Sequence, residues 1–355
     1  MEKFKEFYDE SDNKKTIFIP IAACQEYYIE HTIKSAMALA NYPERVYFGV
    51  FNNIIDKDLS LLDNEFITKS NNIFYSELKS SVPMGTGYAR LNASLMSTKI
   101  HDYMFQVDAH SIFSKGWDSV LINTFKKIEN EVGSDKVVLT GQPGFCFEMD
   151  DDKDKVVIMG QNQLEKTSVN IFYNNNLDDM SFINGKPTIY FMDDQKSRFS
   201  EINIKKIMHS HTLDEYTNED YDEVNYLSAC LLFSKYDLLS DIMHDPRDYF
   251  NGDQSNYSIR LISRKYRIFS VKRPVIGTLS KDSYIDEKLI NMKNKKYHWR
   301  ELLIDDINAN AYKYNMMTLS NNIYEDIITG RYLGYWGAPD LESLKYVKER
   351  INYPY

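Results

Sequence analysis

Long apolar runs are missing from this sequence. No window approaches the roughly 18 uninterrupted apolar residues of a membrane-spanning helix, and Met1–Lys15 is rich in charge, without the apolar centre of a secretory signal. The expectation is a cytoplasmic protein with no membrane anchor of its own. Cysteine is scarce too: Cys24, Cys146 and Cys230 form no CxxC pair and lie in apolar stretches, which points to reduced, buried thiols rather than a disulfide framework. Positive charge is in deficit. With 42 Lys and Arg against 52 Asp and Glu, the formal net charge of −10 disfavours a general affinity for duplex DNA, because neutralisation of phosphates by Lys and Arg supplies most non-specific binding. Two local exceptions are Lys205-Lys206 and the cluster Arg260, Arg264, Lys265, Arg267, Lys272 and Arg273, read first as a solvated helix face. Internal repeats and low-complexity linkers are absent as well.

What is present is the composition of a folded globular protein, 43% hydrophobic and 26% charged, in a chain of 355 residues. That length suits one large α/β domain or two small ones. Thr16–Ala23 (TIFIPIAA) is short, apolar and β-branched, as a buried parallel strand is. Ile29, Ile33, Ala36 or Met37, and Ala40 follow at helical spacing until Asn41-Tyr42-Pro43, and a strand over Arg45–Phe51 comes next. Strand, helix and strand within about 36 residues make one βαβ unit and a parallel sheet.

The pattern then recurs. Met84-Gly85-Thr86-Gly87 opens a helix carrying Ala89, Ala93, Met96 and Ile100 on one face, and His101-Asp102 ends it. Tyr103–Val107 reads as a buried strand with Asp108-Ala109-His110 at its carboxyl end, where open α/β sheets bind ligands. Val137–Thr140 is a further strand before the turn Gly141-Gln142-Pro143-Gly144. From Asp150 to Glu223 the chain turns polar, with Asn174-Asn175-Asn176, Asp178-Asp179 and the acidic run Asp214–Glu223 around short pieces such as Thr188–Met192. Apolar structure resumes at Tyr226–Phe233, and the last stretch is helical and Tyr-rich, with a Tyr332–Gly337 run read as packing or as a sugar-stacking lid. The expected organisation is a ligand-binding half over 1–145, a second half with a polar insertion over 146–284, and a helical region over 285–355.

Asp108 and His110, two residues apart as a strand ends, can point into one cleft and offer an oxygen and a nitrogen to Mn2+ or Mg2+. Taken alone, such an Asp is most often a turn or cap residue and such a His a loop residue. Arg90, on the preceding helix, has a guanidinium suited to phosphate but reads from periodicity alone as an ordinary surface residue. His209 and His211 alternate on a β-like segment and read as exposed side chains.

Several segments resemble the polypeptide N-acetylglucosaminyltransferases that modify hydroxyproline in a cytoplasmic ubiquitin-ligase adaptor, with their bacterial and phage relatives. They are Ile17–Ala22, Thr32-Ile33, Ala40–Val46, Phe48-Gly49-Val50, Gly85–Arg90, Gln106–His110 and Trp117-Asp118. A second block comprises Tyr226–Phe233, Phe250–Gln254 and Tyr266–Phe269. The resemblance implies an α/β fold of the GT-A type, a UDP-sugar donor, and a DxH variant of the DxD metal motif at Asp108 and His110. It also implies transfer of GlcNAc or a similar sugar, with retention, to a hydroxyl of a protein or glycan. Ala22, Gln25 and Asn52 would line the uridine pocket, Arg90 would contact the donor, and Asp253 would take the place of the family's acceptor-side Glu, as base or orienting residue. Two departures stand out. Where the family offers a later His as third metal ligand, this chain has Val275-Ile276-Gly277-Thr278, leaving His298 or Asp282 as substitutes; and Cys24-Gln25-Glu26 replaces the usual Arg-Asp pair. A catalytically silent sugar- or nucleotide-binding module, or a phage enzyme acting on modified DNA bases through the Arg260–Arg273 cluster, are the alternatives.

Overall fold

A computed structural model describes residues 15–24, 26, 28–54, 60–97, 100–141, 144–149, 152–159, 166–167, 221–250, 253–271, 275–278, 316, 319 and 322–351. In chain order these form β1 (Ile17–Cys24), α1 (Ile29–Leu39), β2 (Val46–Ile54), α2 (Glu65–Thr68), β3 (Ile73–Lys79), α3 (Thr86–Ser94), β4 (Tyr103–Asp108), β5 (Ser111–Phe113), α4 (Trp117–Val132) and β6 (Val137–Thr140). There follow β7 (Gly144–Met149), β8 (Asp152–Met159), β9 (Lys166–Thr167), β10 (Tyr221–Val224), β11 (Leu231–Lys235), α5 (Leu238–Asp241), α6 (Asp253–Ser263), β12 (Arg267–Val271), β13 (Ile276–Thr278) and α7 (Leu341–Arg350). Residues 322–328 are also helical.

An eight-stranded sheet in the order β10-β12-β6-β11-β4-β1-β2-β3 forms the centre. The run β3-β2-β1-β4 is parallel, as expected of successive βα units, while β11 is antiparallel to both β4 and β6. Strands from either side of residue 145 share this sheet, so the first two expected halves have a common core. A smaller sheet has the order β5-β13-β7-β8-β9.

Alternation along the central strands sorts side chains onto two faces. Ile17, Ile19 and Ile21 of β1, Phe105 and Val107 of β4, and Phe233 of β11 join one core with Ile29 and Ile33 of α1 and Trp117, Leu121 and Phe125 of α4. Phe18, Met104 and Leu232 point the other way, into a second core with Tyr257 and Leu261 of α6, Ile327, and Leu344 and Val347 of α7. Gln106 and Asp108 share the strand and parity of Met104, so the register of β4 already assigns Asp108 to the α3–α6 side.

Several elements differ from expectation. The helix begun at Thr86 stops at Ser94, and Ile100 is 83% exposed rather than on its buried face. Beyond the helix, the Ser97 hydroxyl lies 2.9 Å from the His101 ring nitrogen, and that ring is seated against Phe18 at 5.3 Å just before β4. Nor is the basic cluster a solvated face. Arg260 is fully buried on α6 and donates to the Met243 carbonyl at 2.7 Å, Arg264 donates to the carbonyls of Gly337 and Tyr335, and Arg267 pairs with Glu223 at 2.5 Å. Arg260 and Arg264 are therefore turned to internal carbonyls, while Arg267 is paired at the surface; Lys205, Lys206, Lys272 and Arg273 lie outside the described residues. The same hydrogen bonds make the Tyr332–Gly337 run a packing element, with the Tyr332 ring beneath the Arg247 guanidinium at 4.4 Å. The Thr188–Met192 strand, His209 and His211 also fall outside the described residues.

Candidate active site

β1 runs between β2 and β4, so the chain order of the sheet reverses direction at the β1–β4 pair, and Ala22 lies opposite Asp108 across it. A reversal of this kind opens a crevice at the carboxyl ends of the strands. Along that rim come Ala22, then Asn52 on β2, and the Asp108-Ala109-His110 turn. The turn is held from below. The Thr32 hydroxyl, one helical turn into α1, donates to the Ala109 carbonyl at 2.9 Å and accepts from the Ser111 N–H at 3.0 Å. Both peptides flanking His110 are thereby fixed to a buried helix.

α3 brings Arg90 to the same place. Gly85 adopts φ +95°, a left-handed conformation that suits glycine, and a Cβ on Gly87 would overlap the Asp245 carbonyl oxygen. These two glycines let the 245–249 segment press onto the start of α3, where the Asp248 and Tyr249 carbonyls accept from the Gly87 and Thr86 N–H groups, each at 2.7 Å. Arg90 is buried rather than a surface residue. Its Nη1 donates to Asp253, which heads α6, and its Nη2 lies 3.5 Å from Asp108 Oδ1. Asp253 is the first residue of a helix, and its Oδ1 accepts from the Gln254 N–H at 2.8 Å.

The electrostatics follow from this packing. Burial lowers the Arg90 pKa, but Asp253 and Asp108 outweigh it and hold the value above that of an ordinary arginine. Burial pushes the Asp108 carboxyl up; His110, Arg90 and the Cys230 thiol outweigh that and bring it below the usual aspartate value, so it is ionised at neutral pH. Asp253 goes the other way, raised by burial with the Asp108 charge adding to it against Arg90. The Cys230 thiol is held protonated by burial and by its bond to Asp108. Behind Arg90, Gln106 bridges the Ala229 carbonyl at 2.8 Å and His244 Nε2 at 2.5 Å, and burial keeps the His244 ring neutral.

His110 stands at the open side. Its side chain is 33% exposed and that of Asp108 is 24% exposed, so both reach the crevice. His110 Nε2 lies 3.9 Å from Asp108 Oδ2, and Nδ1 lies 3.1 Å from Glu26 Oε2. Among the described residues no group of three or more His, Cys, Asp and Glu side chains is arranged to hold a metal ion. The donor set at the rim, one carboxylate and one imidazole, still has the chemistry of a borderline divalent cation site completed by ligand oxygens.

Of the expected site residues, Arg90, Asp108, His110 and Asp253 are brought together. Ala22 sits beside them, packed with Phe51, Ala89, Tyr88 and Leu78. Asn52 is fully buried and donates to the Tyr75 hydroxyl at 3.2 Å. Gln25, Asp282 and His298 lie outside the described residues. In the Val275–Thr278 segment, Ile276–Thr278 forms β13, paired with β5 immediately after His110, with Ser111 opposite Thr278. Sequence reasoning missed Glu26, Gln106, Cys230 and His244 as members of the site. Gln106 and Cys230 lay inside the segments that carry the resemblance, and Glu26 stood out as an acidic residue just beyond the carboxyl end of the first strand; His244 left no signal.

The family model described as Glycosyltransferase (GlcNAc) matches residues 55–279, well over half of the chain. The chain belongs to this glycosyltransferase family. Arg90, Asp108, His110 and Asp253 fall inside the matched residues, whereas Ala22, Glu26 and Asn52 precede them. Its architecture is mixed α/β with a large central sheet, the fold class expected from the sequence. The structure is similar to GalNAc-T7 solved with UDP, GalNAc and Mn2+, with a TM-score of 0.46 and 12% identity over 97% of this chain and 56% of that one. It is also similar to S. aureus TarS, with a TM-score of 0.42 and 14% identity over 87% of this chain and 43% of that one. The chain thus spans about half the length of these solved structures. No curated protein matches it. Among the described residues no helix is long and apolar enough to cross a membrane.

Proposed function

We propose that this glycosyltransferase moves a sugar, GlcNAc or a close relative, from a UDP-sugar to a hydroxyl of a protein or glycan, with retention at the anomeric carbon and in a cytoplasmic setting. The observation that carries the reading is the convergence of Asp108, His110 and Arg90 at the strand-order reversal, where a nucleoside diphosphate would meet a cation site and a guanidinium together. Family membership supports it. The internal hydrogen bonds of Arg260 and Arg264, and the pairing of Arg267 with Glu223, speak against a DNA acceptor.

Asp108 and His110 would hold a Mn2+ or Mg2+ ion, whose contribution is Lewis-acid neutralisation of the leaving diphosphate. The protein's own residues do the remaining work. Ala22, with the apolar cluster of Phe51, Ala89 and Tyr88 behind it, gives the base a dry wall. Arg90 pairs with the diphosphate as charge develops on it, giving up part of its hold on Asp253. Asp253, beside Arg90 and raised in pKa by burial, orients the acceptor hydroxyl. Gln25 belongs to the same base-binding rim by resemblance, and a third protein ligand from Asp282 or His298 stays part of the proposal.

A thermal-shift panel of UDP-sugars with and without Mn2+ tests this, since a ligand that binds only the folded state raises its stability. The expected result is a metal-dependent shift with UDP-sugars and UDP, together with slow UDP release when both are present. No shift with any uridine nucleotide removes the reading; a shift without sugar release over hours converts it to a silent binding module.

A further inference from the structure

His110 has two ring nitrogens, and the structure gives them different neighbours. A neutral imidazole carries a proton on one nitrogen and a lone pair on the other, and only the lone pair can ligate a cation. Nδ1 lies 3.1 Å from Glu26 Oε2, within hydrogen-bond distance, and a carboxylate oxygen accepts, so the contact calls for the proton on Nδ1. That arrangement leaves the lone pair on Nε2, the nitrogen 3.9 Å from Asp108 Oδ2.

Glu26 is itself held in place. Its Oε1 accepts from the backbone N–H of Tyr28, the residue that precedes α1, at 3.2 Å. The Tyr28 carbonyl in turn accepts from the Thr32 N–H at 2.8 Å, and it is Thr32 whose hydroxyl fixes Ala109 and Ser111 on either side of His110. One turn of one helix therefore anchors both the peptide of His110 and the carboxylate that faces its ring. From this geometry we infer that Glu26 is the positioning residue for His110: it fixes the Nδ1–H tautomer and ring orientation, so that Nε2 is presented to the cation beside Asp108. Carboxylate partners of this kind raise the basicity of a ligating imidazole, and their removal costs metal affinity. A site with two protein donors at its rim gains most from such support. The inference rests on the metal-dependent reading above.

The test uses the full chain and its Glu26→Ala and Glu26→Gln variants, with two readouts. Long-range proton–nitrogen NMR of the imidazole rings, without metal and at about pH 8, above the ordinary histidine range near 6.5, reports the tautomer; His110→Gln assigns the signal among the seven histidines. The unsubstituted protein should show Nδ1–H, Glu26→Gln should keep it through its amide oxygen, and Glu26→Ala should lose the bias. Mn2+ affinity in the presence of UDP, read from the free-ion electron paramagnetic resonance signal, should fall about 10- to 100-fold in Glu26→Ala and much less in Glu26→Gln. An Nε2–H tautomer in the unsubstituted protein overturns the inference without recourse to any variant. Equal Mn2+ affinity in the unsubstituted protein and Glu26→Ala overturns the inference and leaves the metal reading standing, whereas no Mn2+ binding by the unsubstituted protein overturns both.

Discussion

Arg90 on α3 donates to Asp253 at the head of α6, a buried ion pair between residues 163 positions apart in the chain. Its position is informative because Arg90 also faces Asp108, so one guanidinium stands between the two carboxylates expected to serve donor and acceptor. Removing it leaves the buried Asp253 carboxylate without its cation and takes a positive neighbour from Asp108. Arg90→Ala should therefore cost about 3–5 kcal/mol in urea unfolding, and the double variant Arg90→Met, Asp253→Leu should cost less than the sum of its parts. Additive losses would show that the pair is not coupled.

Asp108→Asn keeps the shape of the side chain and removes its charge. UDP release and sugar transfer should fall at least about 100-fold, the scale on which loss of a preorganised electrostatic group acts, while circular dichroism and the unfolding midpoint change little. Turnover equal to that of the unsubstituted protein in a UDP-release assay would count against the proposed chemistry.

Gly87→Ala places a methyl group against the Asp245 carbonyl oxygen and close to Asp248. Because the 245–249 segment also binds the first N–H groups of α3, it cannot withdraw freely, and overpacking should destabilise by about 1–3 kcal/mol. Since α3 carries Arg90, the same substitution should raise KM for the UDP-sugar. A variant with unchanged stability and KM would mean that the segment yields without cost.

Glu223 joins two distant parts of the chain, with Arg267 on β12 at 2.5 Å and Arg350 at the end of α7. Burial raises its carboxyl, but the hydrogen bonds and charges of the two arginines outweigh that and lower it below the ordinary glutamate value of 4.5. A lowered folded-state pKa gives stability that is present above 4.5 and lost as pH falls through the folded value. Glu223→Gln should accordingly melt earlier than the unsubstituted protein at pH 7, and the gap between the two should close as the pH is taken below 4.5. A gap that persists to low pH would assign the effect to packing instead.

Periodicity made the first half of the central sheet legible. β1, α1, β2 and β4 fall where apolar runs and helical spacing put them, because each buries a continuous stripe. β3 escaped notice: only Ile73 is fully buried in a strand that is otherwise partly exposed at the sheet edge, so its pattern is weak. Some quoted motif segments turned out to be scaffolding. Asp118 accepts from the Asn41 and Tyr42 N–H groups at 2.9 and 3.0 Å, so Trp117-Asp118 and the start of the Asn41–Arg45 segment hold each other. Charged residues were the hardest to read. Arg260 and Arg90 look like surface residues in sequence, and their burial depends on partners such as the Met243 carbonyl and Asp253, which no local spacing reveals. Glu26 is the same case at shorter range: its role appears only when β1 and β4 are known to be neighbours.

The placing of β11 between β4 and β6 has a consequence for how the chain is made. β3, β2, β1 and β4 are all synthesised before residue 109, and β6 is complete at Thr140, yet the strand that joins them begins only at Leu231. Until Lys235 has left the ribosome, β4 presents a bare edge and β6 lacks both neighbours. Open edges of this kind pair with other chains. The protein therefore passes through a prolonged, aggregation-prone adolescence on the ribosome, and truncations ending before Leu231 should go to inclusion bodies rather than yield a small working domain.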